Sequence, residues 1–72
     1  MIRKEFDLFY EVQHFSFLRG CWSTIDTYAG ELQAKRAAES YDGVMRVLCS
    51  NSTAKVPVYA CVRMKGQLVR IW

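Results

Sequence analysis

Hydrophobic and polar residues alternate at the start of the chain. Between positions 5 and 13 every second residue is apolar, and the residues between them are mainly polar. Alternation with period two over about eight residues is typical of a half-buried strand. Around His14 the phase shifts, and the apolar residues from Phe15 to Trp22 predict a second strand, antiparallel to the first. Gly20 predicts a bend or bulge in this second strand.

A helix is predicted next, roughly from Tyr28 to Tyr41. Three residues with N-cap side chains, Thr24, Asp26 and Thr27, precede it. Gly43 follows it at the place expected for a left-handed C-terminal cap. Alanines recur at helical spacing at positions 34, 37 and 38, and such small side chains allow a helix to lie close against a sheet.

The remainder of the chain alternates again and predicts three more strands. The segment GVMRVLCS (43–50) is followed by the polar turn NSTAK, and then by VPVYACVRM and QLVRIW. Lys65 and Gly66 separate the last two segments, and a two-residue connection with glycine second is a strong hairpin signal. Pro57 cannot donate to a ladder, so the strand from Val56 is expected to begin at a sheet edge or to enter the sheet after Pro57. The terminal segment ending in Trp72 is expected to be tied into the sheet.

These elements predict an α+β domain of the order ββαβββ. Because the connections are short, the strands are expected to form one antiparallel sheet of about five strands, with the helix packed on one face. The 72 residues are predicted to form a single domain, 1–72, near the lower size limit for one hydrophobic core. The second face of the sheet has no helix to cover it, which makes it a natural place for a partner or a twin subunit.

Aromatic residues are abundant for so short a chain, at 14% of the sequence. A small domain has little interior, so we expect some of them to remain at the surface, where clustered aromatics mark contact sites. A core that is simply rich in aromatics is the alternative. The residues are Phe6, Phe9, Tyr10, Phe15, Phe17, Trp22, Tyr28, Tyr41, Tyr59 and Trp72.

Cysteine usage predicts a reducing compartment. Cys21, Cys49 and Cys61 are an odd number without a CxxC spacing, so they are expected to be reduced, buried apolar residues of a cytoplasmic protein. The sequence shows no signal-peptide pattern and no apolar run of the roughly 20 residues that span a bilayer, so no membrane association is expected.

No residue pattern predicts catalysis. The single histidine, His14, lies among aromatic residues, and the scattered cysteines offer no metal-ligand spacing, so neither a metal nor another cofactor is expected. Asp7 and Glu11 share a strand face, which is expected to be solvated. The glycines form no phosphate-binding motif. We therefore expect a protein that is not an enzyme.

Basic residues dominate the second half of a chain with net charge +3. Lys35 and Arg36 are expected to point to solvent from the helix, and Arg63 and Lys65 flank the last hairpin. If helix and hairpin are neighbours, these side chains form one patch that suits phosphates or an acidic protein surface. An ordinary solvated helix face is the alternative. The candidate partner- or nucleic-acid-binding residues are Lys35, Arg36, Arg63, Lys65, Arg46 and Arg70.

The sequence also resembles a known family. The order of elements, the opening LFYEVQHFS, the run Ala34-Lys35-Arg36, the following Gly43-Val44-Met45-Arg46 and the closing basic hairpin are similar to small phage-encoded anti-CRISPR proteins that inhibit the type I-F surveillance complex. The resemblance implies a non-enzymatic inhibitor in the host bacterial cytoplasm. It would bind the Cas backbone subunits that display the guide RNA and block access of target DNA.

The same resemblance implies that Lys35, Arg36, Arg63 and Lys65 belong to a positive face that touches DNA or the complex. Two alternatives stay open beside it. One is a small basic nucleic-acid-binding protein whose sheet aromatics stack on bases. The other is a homodimeric adaptor or subunit that buries its bare sheet face.

Overall fold

The computed structural model describes residues 8–51 and 54–71. The elements are β1 (Phe9–Ser16), β2 (Cys21–Tyr28), α1 (Glu31–Ser40), β3 (Gly43–Ser50), β4 (Lys55–Met64) and β5 (Gln67–Arg70). This order confirms the predicted α+β class and the ββαβββ sequence of elements. Phe6, Asp7, Trp72 and two residues of the polar turn lie outside the described residues, so the predictions that involve them are not addressed by the structure.

The strands form one sheet in the order β2-β1-β3-β4-β5, and every neighbouring pair is antiparallel. β1 therefore pairs with β2 through a hairpin on one side and with β3 on the other, across the connection that contains α1. The helix packs on the face that carries Val12, Val47 and Tyr59. Among the residues that the structure describes, no helix packs on the opposite face of the sheet.

The core lies between α1 and the sheet. Ala34 and Ala38 of the helix are fully buried, as are Met45 and Val47 of the central strand β3. The predicted alternation of β3 is thereby confirmed, with Met45 and Val47 on the helix side and Arg46 on the other face. Because the buried residues of the helix are alanines, the larger side chains of the sheet fill the space between the layers.

The first hairpin differs from the prediction. β1 continues without interruption to Ser16, and residues 17–20 form the turn that was predicted to be part of a second strand. The Gly20 amide donates to the Ser16 carbonyl at 2.7 Å, and Gly20 has a φ of 69°, which glycine adopts readily. The irregularity in this strand pair lies instead at the register shift between Val12 and Gln13.

The helix is shorter than predicted at its start. β2 extends to Tyr28, so the residues predicted to form the N-cap, at positions 24 to 27, belong to an edge strand paired with β1. Gly30 is the N-cap and provides no side-chain hydrogen bond. Cross-strand pairing therefore overrode the capping preference of these side chains.

The C-terminal cap prediction was also wrong. Tyr41, in an extended conformation, caps the helix, and Gly43 begins β3 with a φ of 112°. A β-carbon on Gly43 would lie 2.8 Å from Nε2 of His14, which explains why a glycine occupies this position. Because the ring edge of His14 is the obstacle, a side chain here would have to push that ring aside.

The last hairpin agrees with the sequence prediction. Lys65 and Gly66 both have positive φ, 53° and 81°, as a type I′ turn requires. β5 pairs with β4 only from Cys61 to Met64, so Pro57 faces no neighbour on the β5 side and lies on an edge portion of its strand. All three cysteines are free, with Cys61 buried and the other two half-buried. No helix in the described residues has the length and apolar character needed to cross a bilayer.

We predict that Gly43→Ala lowers the free energy of unfolding by about 2 kcal/mol, because the new methyl group combines an unfavourable positive φ with displacement of His14. Gly20→Ala is the matched control. Its φ is also positive, but nothing lies within 4 Å of the added β-carbon, so we expect a loss of only about 1 kcal/mol. Urea unfolding measures both, and equal losses would contradict the close approach of His14.

Candidate binding surface

Lys35 and Arg36 are adjacent in the helix but have different environments. Lys35 Nζ lies 2.8 Å from Oε2 of Glu31 and 5.6 Å from the centre of the Tyr59 ring, so Lys35 folds back over the protein and does not point to solvent as predicted. Arg36 is exposed. In the described residues no ion pair involves Arg36, which leaves this side chain free for contact.

Glu39 ties the end of α1 to the last two strands. Its Oε2 accepts hydrogen bonds from the buried Tyr59 hydroxyl and from Nε of Arg70, the latter at 3.1 Å. Its backbone carbonyl accepts from Nη1 of Arg63 at 3.0 Å, and Arg63 also lies 3.7 Å from Asp42. Arg63 and Arg70 are therefore anchors of the fold.

The Glu39 contacts shift the pKa of both partners. The hydrogen bond from Tyr59, aided by Arg70, outweighs desolvation and lowers the pKa of Glu39. Burial, together with the hydrogen bond to Glu39, raises the pKa of Tyr59 to about 12. Glu39 therefore stays ionised and Tyr59 stays protonated throughout the neutral pH range, so the hydrogen bond between them is kept.

The helix side of the molecule is electrically balanced in the described residues. We use the name helix side for α1, its two flanking loops and the sheet face that it covers. Its four cations are Lys35, Arg36, Arg63 and Arg70. Its four carboxylates are Asp26, Glu31, Glu39 and Asp42. The predicted residues are thus brought together, but three of the four cations are paired with carboxylates of the same side.

The other two predicted residues lie elsewhere. Lys65 occupies the β4–β5 turn and is exposed. Arg46 points to the opposite face of the sheet, away from α1. The candidate residues therefore do not form one continuous basic patch.

The sheet face opposite α1, here called the helix-free face, has its own organisation. The residues of β1, β2 and β3 that point to it are Phe9, Glu11, Gln13, Phe15, Trp22, Thr24, Thr27, Val44, Arg46, Leu48 and Ser50. At its centre, Arg46 donates from Nε to Oε1 of Gln13 at 2.7 Å. The Arg46 guanidinium also stacks on the Trp22 ring, 4.2 Å from its centre. These contacts hold the side chain in a fixed position.

Arg46 has no acidic partner among the described residues. The side chain is half-buried, and desolvation alone lowers its pKa, although the guanidinium remains charged at any physiological pH. Nε donates to Gln13, whereas the two terminal nitrogens of the guanidinium have no hydrogen-bond acceptor among the described residues. A partly desolvated cation of this kind favours an anionic ligand.

An aromatic cluster borders Arg46 at the β1–β2 end of the face. Phe15 packs edge-to-face against Trp22 and against Phe17, with ring centres 5.2 Å and 5.0 Å apart. Phe17 is 76% exposed and its neighbour Leu18 is 97% exposed at the tip of the hairpin. The prediction that part of the aromatic set stays at the surface is confirmed by Phe17, whereas Tyr59 is buried in the core.

A polar network crosses the middle of the face. Thr24 donates to Oε1 of Glu11 at 2.9 Å and accepts from Nε2 of Gln13 at 3.0 Å, and Lys55 Nζ lies 3.0 Å from Oε2 of Glu11. Glu11 is only 5% exposed, so the expectation of a solvated carboxylate was wrong. Burial opposes its ionisation, but the hydrogen bonds from Lys55 and Thr24 outweigh burial and lower the pKa of Glu11.

The edge strand β2 is protected against pairing with another strand. A register shift interrupts its ladder near Ile25. Oδ1 of Asp26 accepts from the Thr27 amide at 2.9 Å, and Oδ2 accepts from the Tyr28 hydroxyl at 2.8 Å. A bulge combined with a charged side chain disfavours strand addition at a sheet edge.

Residues 8–51 and 54–71 contain neither a detectable cavity nor a group of three or more side chains suited to hold a metal ion. His14 lies beside Gly43 on the helix side, and it is not part of any such group.

Sequence analysis named Arg46 as a candidate but did not single out Gln13, Trp22 or Phe15 as its surroundings. Trp22 is 24 positions from Arg46 in the chain, and only the register of β2, β1 and β3 brings the two together. The alternation of β1 could have placed Phe15 on the same face as Gln13, because it continues through Phe15 when the strand is extended to Ser16.

Comparison of the chain with protein-family models, with curated proteins and with solved structures finds no match. The functional argument therefore starts from the two sides of the sheet and from the chemistry of their side chains.

We predict that acid unfolding depends on Glu39. Because its folded-state pKa is lowered, Glu39 stabilises the fold above the unfolded-state value of about 4.3, and this contribution is lost as the pH falls through the folded-state pKa. Glu39→Gln should therefore be less stable than the unmodified protein at pH 7 and should lose less stability between neutral and acidic pH. Urea unfolding at several pH values measures this.

The stability of Glu39→Gln is still expected to decline in acid, because Glu11 also has a lowered pKa and is present in both proteins. Parallel stability curves for the two proteins would show that Glu39 does not anchor the helix.

Proposed function

We propose that this protein is a small non-enzymatic inhibitor of the phage type, which binds the Cas backbone subunits of a CRISPR surveillance complex and blocks access of target DNA. Its place of action is the cytoplasm of the host bacterium. The sequence resemblance suggests the target. The structural observation that carries the binding role is the apolar tip of the β1–β2 hairpin.

Leu18 and Phe17 make this tip unusual for a surface turn. Leu18 is 97% exposed and Phe17 is 76% exposed, and they are adjacent at the end of a two-stranded projection. Turns are usually polar because they face water. Apolar side chains presented at a protruding tip can enter a pocket on a partner and become the anchors of an interface.

Unpaired cations support the encounter with a nucleoprotein. In the described residues no ion pair engages Arg19, Arg36 or Lys65, and all three are exposed. Arg19 lies in the same turn as Leu18, and Lys65 lies in the β4–β5 turn. Such charges increase the rate of association with a complex that carries RNA, and they add little to the affinity at physiological salt. Arg63 and Arg70 bond to Glu39, so they are not available to attract the partner. Arg19 takes their place among the cations proposed for this role.

Inhibition of this kind requires only that the bound protein occupies the path of the DNA. A sheet stiffened by four antiparallel ladders is well suited to this task because its surface is preorganised and loses little entropy on binding.

We predict that Leu18→Ser weakens binding to a purified type I-F surveillance complex by at least about tenfold, because a buried leucine anchor is lost. Leu32→Ser, at an exposed position on α1, is the matched control and should change the affinity less than about twofold. Biolayer interferometry measures the affinity, and a gel-shift assay with a labelled protospacer duplex measures DNA exclusion by the bound inhibitor.

Two results would contradict the proposal. One is binding of the unmodified protein to the complex without exclusion of DNA, and the other is no binding at any accessible concentration. Equal effects of the two leucine substitutions would exclude the hairpin tip as the anchor.

A further inference from the structure

The positive charge of the described chain is concentrated on one side of the sheet and at its ends. The helix side is balanced, as shown above, whereas the helix-free face carries Arg46 and Lys55 against the single carboxylate of Glu11. Glu11 is buried and already neutralised by Lys55. The same ion pair offsets the charge of Lys55, so Arg46 is the one cation on the described part of this face without a carboxylate partner. The face therefore has a net positive charge and no free carboxylate to repel an anion.

Arg46 is preorganised for such an anion. Gln13 and Trp22 fix the guanidinium from one edge and one face, and the terminal nitrogens remain for a ligand. Little side-chain entropy would be lost when these nitrogens meet an oxyanion, because the protein already holds the side chain in place.

Aromatic rings lie within reach of the same guanidinium. Trp22 lies under Arg46 and contacts Phe15 edge-to-face. Phe17, in the turn, contacts Phe15 and has most of its surface in solvent. Nucleobases stack on exposed aromatic rings whatever their sequence, and each such contact contributes about 1–3 kcal/mol. A phosphate-binding arginine beside stacking rings is the combination that single strands require.

Lys55 of β4 lies further along the same face and can donate a hydrogen bond to a second phosphate, although Glu11 offsets its charge. Lys55 is paired in register with Ser50, and Ser50 is four residues from Arg46 along β3. The positions of Ser50 and Arg46 are therefore about 13 Å apart along the strand. Phe9, also on this face, is the β1 partner of Ser50. The side chains thus run from Phe17 past Arg46 to Lys55 and Phe9, a line that suits an extended chain of a few nucleotides.

We propose that the helix-free face binds single-stranded nucleic acid, with a backbone phosphate at the unpaired Arg46 and bases stacked on Phe17 and its aromatic neighbours. The inference is independent of the proposed inhibitor function.

The composition of the face favours a single strand over the other candidate occupants. A duplex keeps its bases paired and offers no ring to Phe17. In a two-fold contact between two helix-free faces, an axis near the centre of the face would bring the unpaired Arg46 of one copy towards the Arg46 of the other. The buried polar network of Glu11, Gln13 and Thr24 also makes the middle of the face hydrogen-bonding in character, unlike the apolar core of an obligate protein interface.

The test uses fluorescence anisotropy of the full chain with a labelled oligothymidine of about ten nucleotides, within the usual site size of a single-strand-binding domain. We expect binding that weakens as salt is raised. Arg46→Gln should weaken binding by at least about tenfold and reduce the salt slope by about 0.7, the value for one phosphate contact on a single strand.

Arg36→Gln is the matched control, because it removes the same charge from the helix side, where Arg36 is exposed. It should change the affinity less than about twofold.

Phe17→Ser tests stacking separately. Its ring is largely solvent-exposed, so the variant should fold, and we expect at least about fivefold weaker binding with an unchanged salt slope.

Three outcomes would overturn the inference: no binding of oligothymidine at low salt, equal losses for Arg46→Gln and Arg36→Gln, or binding of a duplex as tight as that of the single strand. Loss of binding in Phe17→Ser alone, with Arg46→Gln unaffected, would also overturn the assignment of the phosphate to Arg46. Since the assay contains no surveillance complex, these results are separate from those of the Leu18→Ser experiment.

Discussion

The described structure depends on having one helix for a sheet of five strands. One helix can pack on only one face of a sheet, and α1, with ten residues and a length of about 15 Å, is shorter than the distance of about 19 Å between the two outer strands. The covered face is held by alanine contacts and by the Glu39 anchor to Tyr59 and Arg70. Three of the six basic residues predicted to bind a partner, Lys35, Arg63 and Arg70, form ion pairs in or near this attachment.

The uncovered face must be stable in contact with water. It meets this requirement with side chains that satisfy one another: Glu11 with Lys55 and Thr24, and Arg46 with Gln13 and Trp22. These contacts shield the sheet without adding a second layer. The same contacts hold a cation and aromatic rings in fixed positions, so the arrangement that protects the face also prepares it for an anionic, stacking ligand.

Local signals in the sequence predicted the elements whose cause is local. The alternation of β3, the alanine face of α1 and the Lys65-Gly66 turn follow from periodicity and backbone preference, and the structure contains all three. The start of α1 was misplaced because pairing with β1 holds the polar segment before Tyr28 in a strand. The basic patch could not be judged from the sequence, since Glu39 neutralises Arg70 only after the fold brings positions 31 residues apart together.

The most direct measurement of the central claim, that the helix-free face is open to solvent and to partners, compares two methionines. Met64 is 62% exposed and by alternation lies on that face, whereas Met45 is fully buried under α1. Dilute hydrogen peroxide followed by peptide mass spectrometry should oxidise Met64 rapidly and leave Met45 unmodified in the folded protein. Equal protection of Met64 and Met45 would contradict the account, because it would mean that another surface already covers this face.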